Sequence, residues 1–435
     1  VEFHFVNFFN ERLKPMDKLV IEGGHPLKGE VKVSGSKNAT LPILAATLLT
    51  DETCVIHNVP RLRDTMTMIK LLRSLGKMAS MEGETVTVYS KGKIDFVADY
   101  KLVSTMRGSF CVLGPLLGKL KKAKVSLPGG CVIGVRPVDL HIKGIQTLGA
   151  KTQIEGGYVI AKAKQLKGTN VYLGGVLGSS VLATANVMMA AVLAQGQTVI
   201  ESVSCEPEIE ELANFLNKMG AKIQGQGSPR IVITGVKRLH GAEYEVGPDR
   251  IEAGTFILLA VTTRSELLIK NIHYSQLLAL IDKLEETGVQ FQKRENSIKV
   301  LPSRHLKPTN VTTYPYPGFP TDLQAQFMAL MAMTPGVSVI SDKVFPDRFM
   351  HIAELNRMGA NIQREGMSAI VQGVKTLYGA PVMASDLRAS AALVIAGLAA
   401  KGKTEINRIY HLERGYEKID EKLKRLGAKV HREKE

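Results

Sequence analysis

The chain has 435 residues, of which 45% are hydrophobic and 22% charged, so it is long enough for two or three ordinary globular domains with real cores. Its formal net charge of +15 points to nucleic acid, an anionic membrane or acidic small substrates, yet no arginine-rich arm or aromatic-interleaved basic run supports the first of these. The four cysteines form no C-x-x-C pair and have no histidine pair at metal spacing, which excludes the common zinc frameworks and fits a reducing compartment.

Residues 1–15, including "FHFVNFF", read as an extension ahead of "MDKLVIEGG", and that apolar run is too short to span a membrane. From Met16 onward two signatures alternate. One is a nearly all-apolar helix, predicted to be buried on every side. It begins near Ala39, Arg107, Val181, Ala253, Leu323 and Arg388. The other is a helix that ends in glycine and runs into two strands. Its glycines are Gly76, Gly149, Gly220, Gly288, Gly359 and Gly427, spaced 73, 71, 68, 71 and 68 residues apart. Glycine suits that place because the residue after a helix often takes a left-handed backbone. The strands that follow alternate apolar and polar residues, as in Ala221-Lys222-Ile223-Gln224, so one face is buried and the other solvated. The expected fold is α/β, with six repeats of about 70 residues. They form two domains of three units each, with strands wrapped around buried helices, or a single ring of six.

Polar residues cluster ahead of the apolar helices. Ser36, Ser180, Thr321 and Asp386 read as ordinary N-caps. Lys37, Arg107, Arg250 and Arg388 do not, because cations oppose the dipole at a helix start. Four such cations at six equivalent positions predict a cleft ringed by helix starts that takes anionic small molecules such as phosphates. Neither a Walker loop nor a dinucleotide fingerprint is present.

One segment, "SLPGGCVIGVRPVDLH" from Ser126 to His141, belongs to neither signature. It sets Cys131 in a glycine-rich stretch five residues ahead of Arg136, where a thiol is accessible and a cation can favour its thiolate; a passive loop cysteine is the plainer alternative. Cys54 in an alternating run, Cys111 in an apolar helix and Cys205 before Pro207 have no such setting.

The runs "SGSKNATLP", "LPGGCVIGVRPVDLH", "EPEI", "PDRIEAGT", "FPTDLQAQF", "DRFMH", "DLRASAAL" and "ERGYEKI" resemble the UDP-N-acetylglucosamine 1-carboxyvinyltransferase family, from Met16 nearly to the end. These are the enolpyruvyl transferases at the first committed step of bacterial peptidoglycan synthesis. The resemblance implies a two-domain inside-out α/β barrel. Domain 1 would be 16–36 plus 247–435, domain 2 would be 37–246, and the chain would cross near Lys37 and Gly247. It implies that Lys37, Asn38, Arg136 and Arg414 hold phosphoenolpyruvate. Arg107, Arg136, Pro137, Val138, Asp139, Leu140, Ser180, Val181, Asp322, Val344 and Arg388 would complete substrate binding. Asp322 would be the base at the sugar 3-hydroxyl, and Cys131 the proton donor to the enolpyruvate methylene and a target of fosfomycin. It also implies a cytoplasmic enzyme with small-molecule substrates, no cofactor, no metal and no nucleic-acid partner; oligomeric state stays open. Gly178 and Leu182 depart from the family pattern, which has lysine and glycine at these places. Three alternatives stand beside this reading: another acceptor such as shikimate 3-phosphate, a non-catalytic sugar-nucleotide-binding paralogue, and a basic nucleic-acid-binding repeat scaffold.

Overall fold

A computed structural model describes residues 17–129, 138–176, 178–303 and 305–434. The strands pair into six four-stranded sheets. Each sheet joins an antiparallel set of three strands to one parallel strand. In one, Cys54–His57, Thr85–Ser90 and Lys77–Glu82 run antiparallel, and Glu243–Glu245 adds in parallel beside Cys54–His57. The six predicted glycines all follow a helix in the left-handed region, with φ of 93, 98, 95, 102, 93 and 90°.

The apolar helices lie inside. Every residue of Arg250–Thr262 is buried, as are eleven consecutive residues of Leu387–Ala399. Lys37–Ala46, Leu113–Leu120, Val181–Ala191 and Gln324–Met331 are buried over most of their length. Small residues allow the close packing. A side chain at Gly114 would lie 2.1 Å from the Asn186 carbonyl oxygen, so the helices that carry them could not approach as they do. Outside, each sheet turns its alternate residues to water, which is why the strands read as half-buried.

Buried apolar residues gather in two clusters. One is drawn from residues 39–246. The other is drawn from 19–33 together with 251–430. We propose that these two bodies are domain 2 (37–246) and domain 1 (16–36 plus 247–435). Two chain segments connect them side by side. Gly35 bridges Pro248, the Ser36 amide donates to the Gly247 carbonyl at 2.8 Å, and the Asp249 amide donates to the Ser34 carbonyl at 2.9 Å.

Candidate active site

The helix starts from both bodies converge on one cleft of about 740 Å³. Lys37 and Asn38 open the helix Lys37–Ala46, Arg107 opens the turn Arg107–Val112, and Val181 opens Val181–Ala191. From the other body come Asp322, at the start of the fifth inner helix, and the segment holding Val344 and Arg348. Ten expected residues line this cleft: Lys37, Asn38, Arg107, Asp139, Leu140, Ser180, Val181, Asp322, Val344 and Arg414. Val138 is buried against the core instead, and Arg388 is fully buried behind Asp322 rather than in the cleft wall. Cys131, Arg136, Pro137 and the expected extension 1–15 lie outside the described residues.

Three expected caps form. Ser36 accepts from the Ala39 amide, Ser180 from the Ala183 amide, and Asp386 from the Arg388 and Ala389 amides. Thr321 does not cap. Its hydroxyl donates instead to Asp342 Oδ2 at 2.6 Å. Asp342 is fully buried and also accepts from Thr313 Oγ1 and from the Val344 and Phe345 amides. It thereby ties the segment that carries Val344 to the helix start that carries Asp322.

Asp322 sits between two arginines of its own body. Arg348 Nη1 donates to Oδ1 at 2.7 Å, and Arg388 Nε lies 3.3 Å from Oδ2. Burial alone would raise this carboxyl, but Arg388 and Arg348, helped by Lys37, hold it far below the usual carboxylate range. Arg388 makes no hydrogen bond to the described residues through its three guanidinium nitrogens, and it lies over the Tyr416 ring at 5.2 Å. Truncating Asp322 would leave that buried charge uncompensated.

A second carboxylate, Asp64, faces the cleft from the opposite side. Arg414 donates to it through Nε at 2.9 Å and Nη2 at 3.4 Å, and Lys37 Nζ lies 3.7 Å away. Burial lowers the Lys37 ammonium from its ordinary value, Asp64 and Asp322 pull it back up, and Arg388 and Arg414 lower it again. Arg250, one of the four helix-start cations, makes a two-point pair with Glu208 at 3.0 and 3.3 Å across the two bodies. Its charge is therefore balanced by protein.

Residue type and spacing alone do not mark Asp64, Glu208 and Arg348 as parts of a site. Asp64 and Glu208 read as ordinary acids in a helix's first turn. Arg348 stands in "DRFMH" with no pattern of its own; only its distance to Asp322 marks it. The other described cysteines are free, and burial pushes the Cys111 thiol up to about 12. Gly178 adopts φ 88° in a tight turn with Gly175, a conformation that a lysine there would resist, and Leu182 lines the cleft.

The profile of the EPSP synthase (3-phosphoshikimate 1-carboxyvinyltransferase) family matches residues 21–423. The UDP-N-acetylglucosamine 1-carboxyvinyltransferase of Lawsonia intracellularis is 54% identical over 420 residues, covering 97% of this chain and all of that protein. UDP-N-acetylglucosamine 1-carboxyvinyltransferase 2 of Carboxydothermus hydrogenoformans is also 54% identical, covering 96% and 99%. This chain belongs to the UDP-N-acetylglucosamine 1-carboxyvinyltransferase family. Among solved structures, the enolpyruvyl transferase NikO from Streptomyces tendae superposes with a TM-score of 0.88 at 25% identity, covering 97% of this chain and all of that one. The EPSP synthase of Acinetobacter baumannii gives 0.74 at 18% identity, over 96% of this chain and all of that one, and shares the fold. The α/β architecture expected of the enolpyruvyl transferases is thus the one found.

Proposed function

We propose that this chain transfers the enolpyruvyl group of phosphoenolpyruvate to the 3-hydroxyl of UDP-N-acetylglucosamine, releasing phosphate. The observation that carries the reading is a cleft between two bodies in which one carboxylate, Asp322, is held ionised beside cations suited to two anionic substrates. We assign Lys37, Asn38 and Arg414, with Arg136, to phosphoenolpyruvate. Arg107, Asp139, Leu140, Ser180, Val181 and Val344, with Pro137, go to the sugar nucleotide. Arg388 acts through Asp322, and Val138 through the helix start that carries Asp139.

The chemistry follows from the charges. Cys131 donates a proton to the methylene carbon, which makes C2 of the enolpyruvyl group electron-poor. The sugar hydroxyl then attacks C2, and its proton becomes strongly acidic as the new C–O bond forms. A carboxylate as weakly basic as Asp322 can accept that proton at this stage. Before it, Asp322 accepts a hydrogen bond from the hydroxyl and fixes its direction. Loss of a proton from the methyl carbon and departure of phosphate restore the double bond, now on the sugar oxygen. Lys37 and Arg414 stabilise the charge that gathers on the leaving phosphate.

We place the reaction in the cytoplasm. Supporting this, no helix among the described residues is long and apolar enough to cross a membrane, and Cys54, Cys111 and Cys205 are free thiols. The direct test is phosphate release with each acceptor. Release with UDP-N-acetylglucosamine and none with shikimate 3-phosphate is expected; the opposite result rejects the assignment. A protein that binds the sugar nucleotide without turnover would be the silent paralogue. Cys131→Ser is expected to abolish both turnover and labelling by fosfomycin.

A further inference from the structure

The six-fold repeat supplies its own controls, because six sheets of one design face water. On three of them cations are broken up by acids. Lys270 pairs with Glu30 at 2.6 Å and Lys299 with Glu266 at 2.8 Å on one sheet. Lys18 pairs with Glu405 at 2.7 Å and Lys429 with Glu22 at 3.0 Å on another, and Arg230 with Glu201 at 3.3 Å on a third.

The sheet built from Val97–Ala98, Lys122–Ser126, Tyr158–Lys162 and Lys151–Glu155 differs. Lys122 stands directly opposite Lys162, and Lys162 directly opposite Lys151, so three lysines form one row across three strands. Lys124 is next but one along its strand. Ala123, Val125, Val159 and Ala161 point into the core, which leaves the lysines on the outer face. None of the four has a carboxylate within 4 Å among the described residues. Like charges directly opposite on a sheet are destabilising, so this row costs stability where its sister sheets avoid the cost.

At the other end of the edge strand the face carries Gln153 and Glu155, which hydrogen-bond to each other, and around the lysines it is apolar and aromatic. Lys122 Nζ lies 4.0 Å from the Phe96 ring centre and Lys124 Nζ 4.9 Å from that of Tyr158. Val97 and Ile160 flank Lys124 on the neighbouring strands, and Tyr100 is 63% exposed beside Tyr158. Lysines over partly exposed aromatic and aliphatic side chains on a broad face suit the headgroup layer of a bilayer. They suit nucleic acid less well, since the row has no arginine and its rings already carry ammonium groups rather than open stacking faces.

We infer that this sheet face docks on an anionic lipid bilayer. None of the four lysines lines the cleft. Arg107 and Gly108 line the cleft, and the chain then runs through the helix Leu113–Leu120 before reaching Lys122, a path of roughly 20 Å. Docking there leaves the cleft open.

The test is co-sedimentation of the full chain with phosphatidylcholine vesicles, with and without phosphatidylglycerol. Binding is expected only to the anionic vesicles and should weaken as salt rises. The triple variant Lys122→Gln, Lys151→Gln, Lys162→Gln should bind on the order of 100-fold more weakly, from the contribution of each lysine near such a surface. A control that removes the same net charge elsewhere, Lys270→Gln, Lys299→Gln, Lys403→Gln, should bind within about threefold of the unmodified chain. Unchanged phosphate release in solution and a melting temperature at or above that of the unmodified chain, since the repulsion in the row is relieved, show that the triple variant is folded. If it is not, Lys151→Gln alone, on the edge strand, should still weaken binding severalfold. No anionic-vesicle binding, equal losses in the two triple variants, or tighter binding to duplex DNA than to vesicles would each overturn the proposal.

Discussion

Two of the carboxylates that line the cleft, one from each body, are built differently. Asp322 takes both arginines, Arg348 and Arg388, from its own body, and one of them is fully buried. Asp64 takes Lys37 from its own body and Arg414 from the other. The Asp322 cluster is therefore preorganised whatever the two bodies do. The Asp64 cluster exists only while they are together. On the proposed function, the difference would separate a centre for chemistry from one that gathers the anionic substrate and holds the bodies in register.

The most severe way to break this contrast is Asp322→Asn. It preserves the shape and removes the proposed base, so kcat should fall on the order of 10²–10⁴-fold, while the Kd for UDP-N-acetylglucosamine, by calorimetry, stays close to that of the unmodified chain. A large loss of binding with kcat intact would make Asp322 a sugar-positioning group.

Arg348→Lys sharpens the same side. Arg348 and Arg388 hold Asp322 ionised through the whole working range, so titration of Asp322 should leave no acid limb in the pH dependence of kcat. Weakening the Arg348 contact raises its folded pKa. The variant should lose activity as pH falls, with kcat down about tenfold at neutral pH. A profile parallel to that of the unmodified chain would mean that Arg348 does not control this carboxylate.

Asp64→Asn tests the other side. Without Asp64 the Lys37 ammonium loses its main supporting charge, and burial together with Arg388 and Arg414 pushes it further down. The KM for phosphoenolpyruvate should rise about tenfold, more steeply toward alkaline pH as Lys37 loses its proton, with a smaller change in kcat.

At the crossing between the bodies the expected effect is on stability rather than on turnover. Glu211 accepts from the Gly247 amide at 2.8 Å, and burial, with Glu208, Glu210 and Asp249 adding to it, lifts its carboxyl to about 7. The folded chain therefore holds a proton there that the unfolded chain has lost. That stability is fully present below the ordinary carboxylate pKa and is lost as pH rises through about 7. Thermal melts should show Glu211→Gln gaining on the unmodified chain between pH 5 and 8, by at most about 3 kcal/mol. Equal pH dependence in both would place the carboxyl elsewhere in its titration.

The scaffold was largely legible because it repeats. Gly76, Gly149, Gly220, Gly288, Gly359 and Gly427 mark one backbone requirement six times, and the inner helices are apolar on every side because nothing but protein touches them. Lys37, Arg107, Arg250 and Arg388 stood out because a cation at a helix start is unfavourable unless something balances it. What balances it was hidden. Glu208 and Asp64 look like routine first-turn acids, and their partners Arg250 and Arg414 lie 42 and 350 residues away. Thr321 looked like a cap by residue type, but the pull of the buried Asp342 outweighs capping. Long-range charge pairing leaves no local pattern, so only the fold shows which cations are neutralised by protein.

The most direct measurement of that division of labour is a single-turnover experiment at saturating phosphoenolpyruvate and UDP-N-acetylglucosamine. The Asp322→Asn chain should bind both substrates and form the enolpyruvyl ether very slowly, whereas Asp64→Asn should form it at close to the normal rate once saturated. A normal chemical step in Asp322→Asn, or a blocked one in Asp64→Asn, would contradict it.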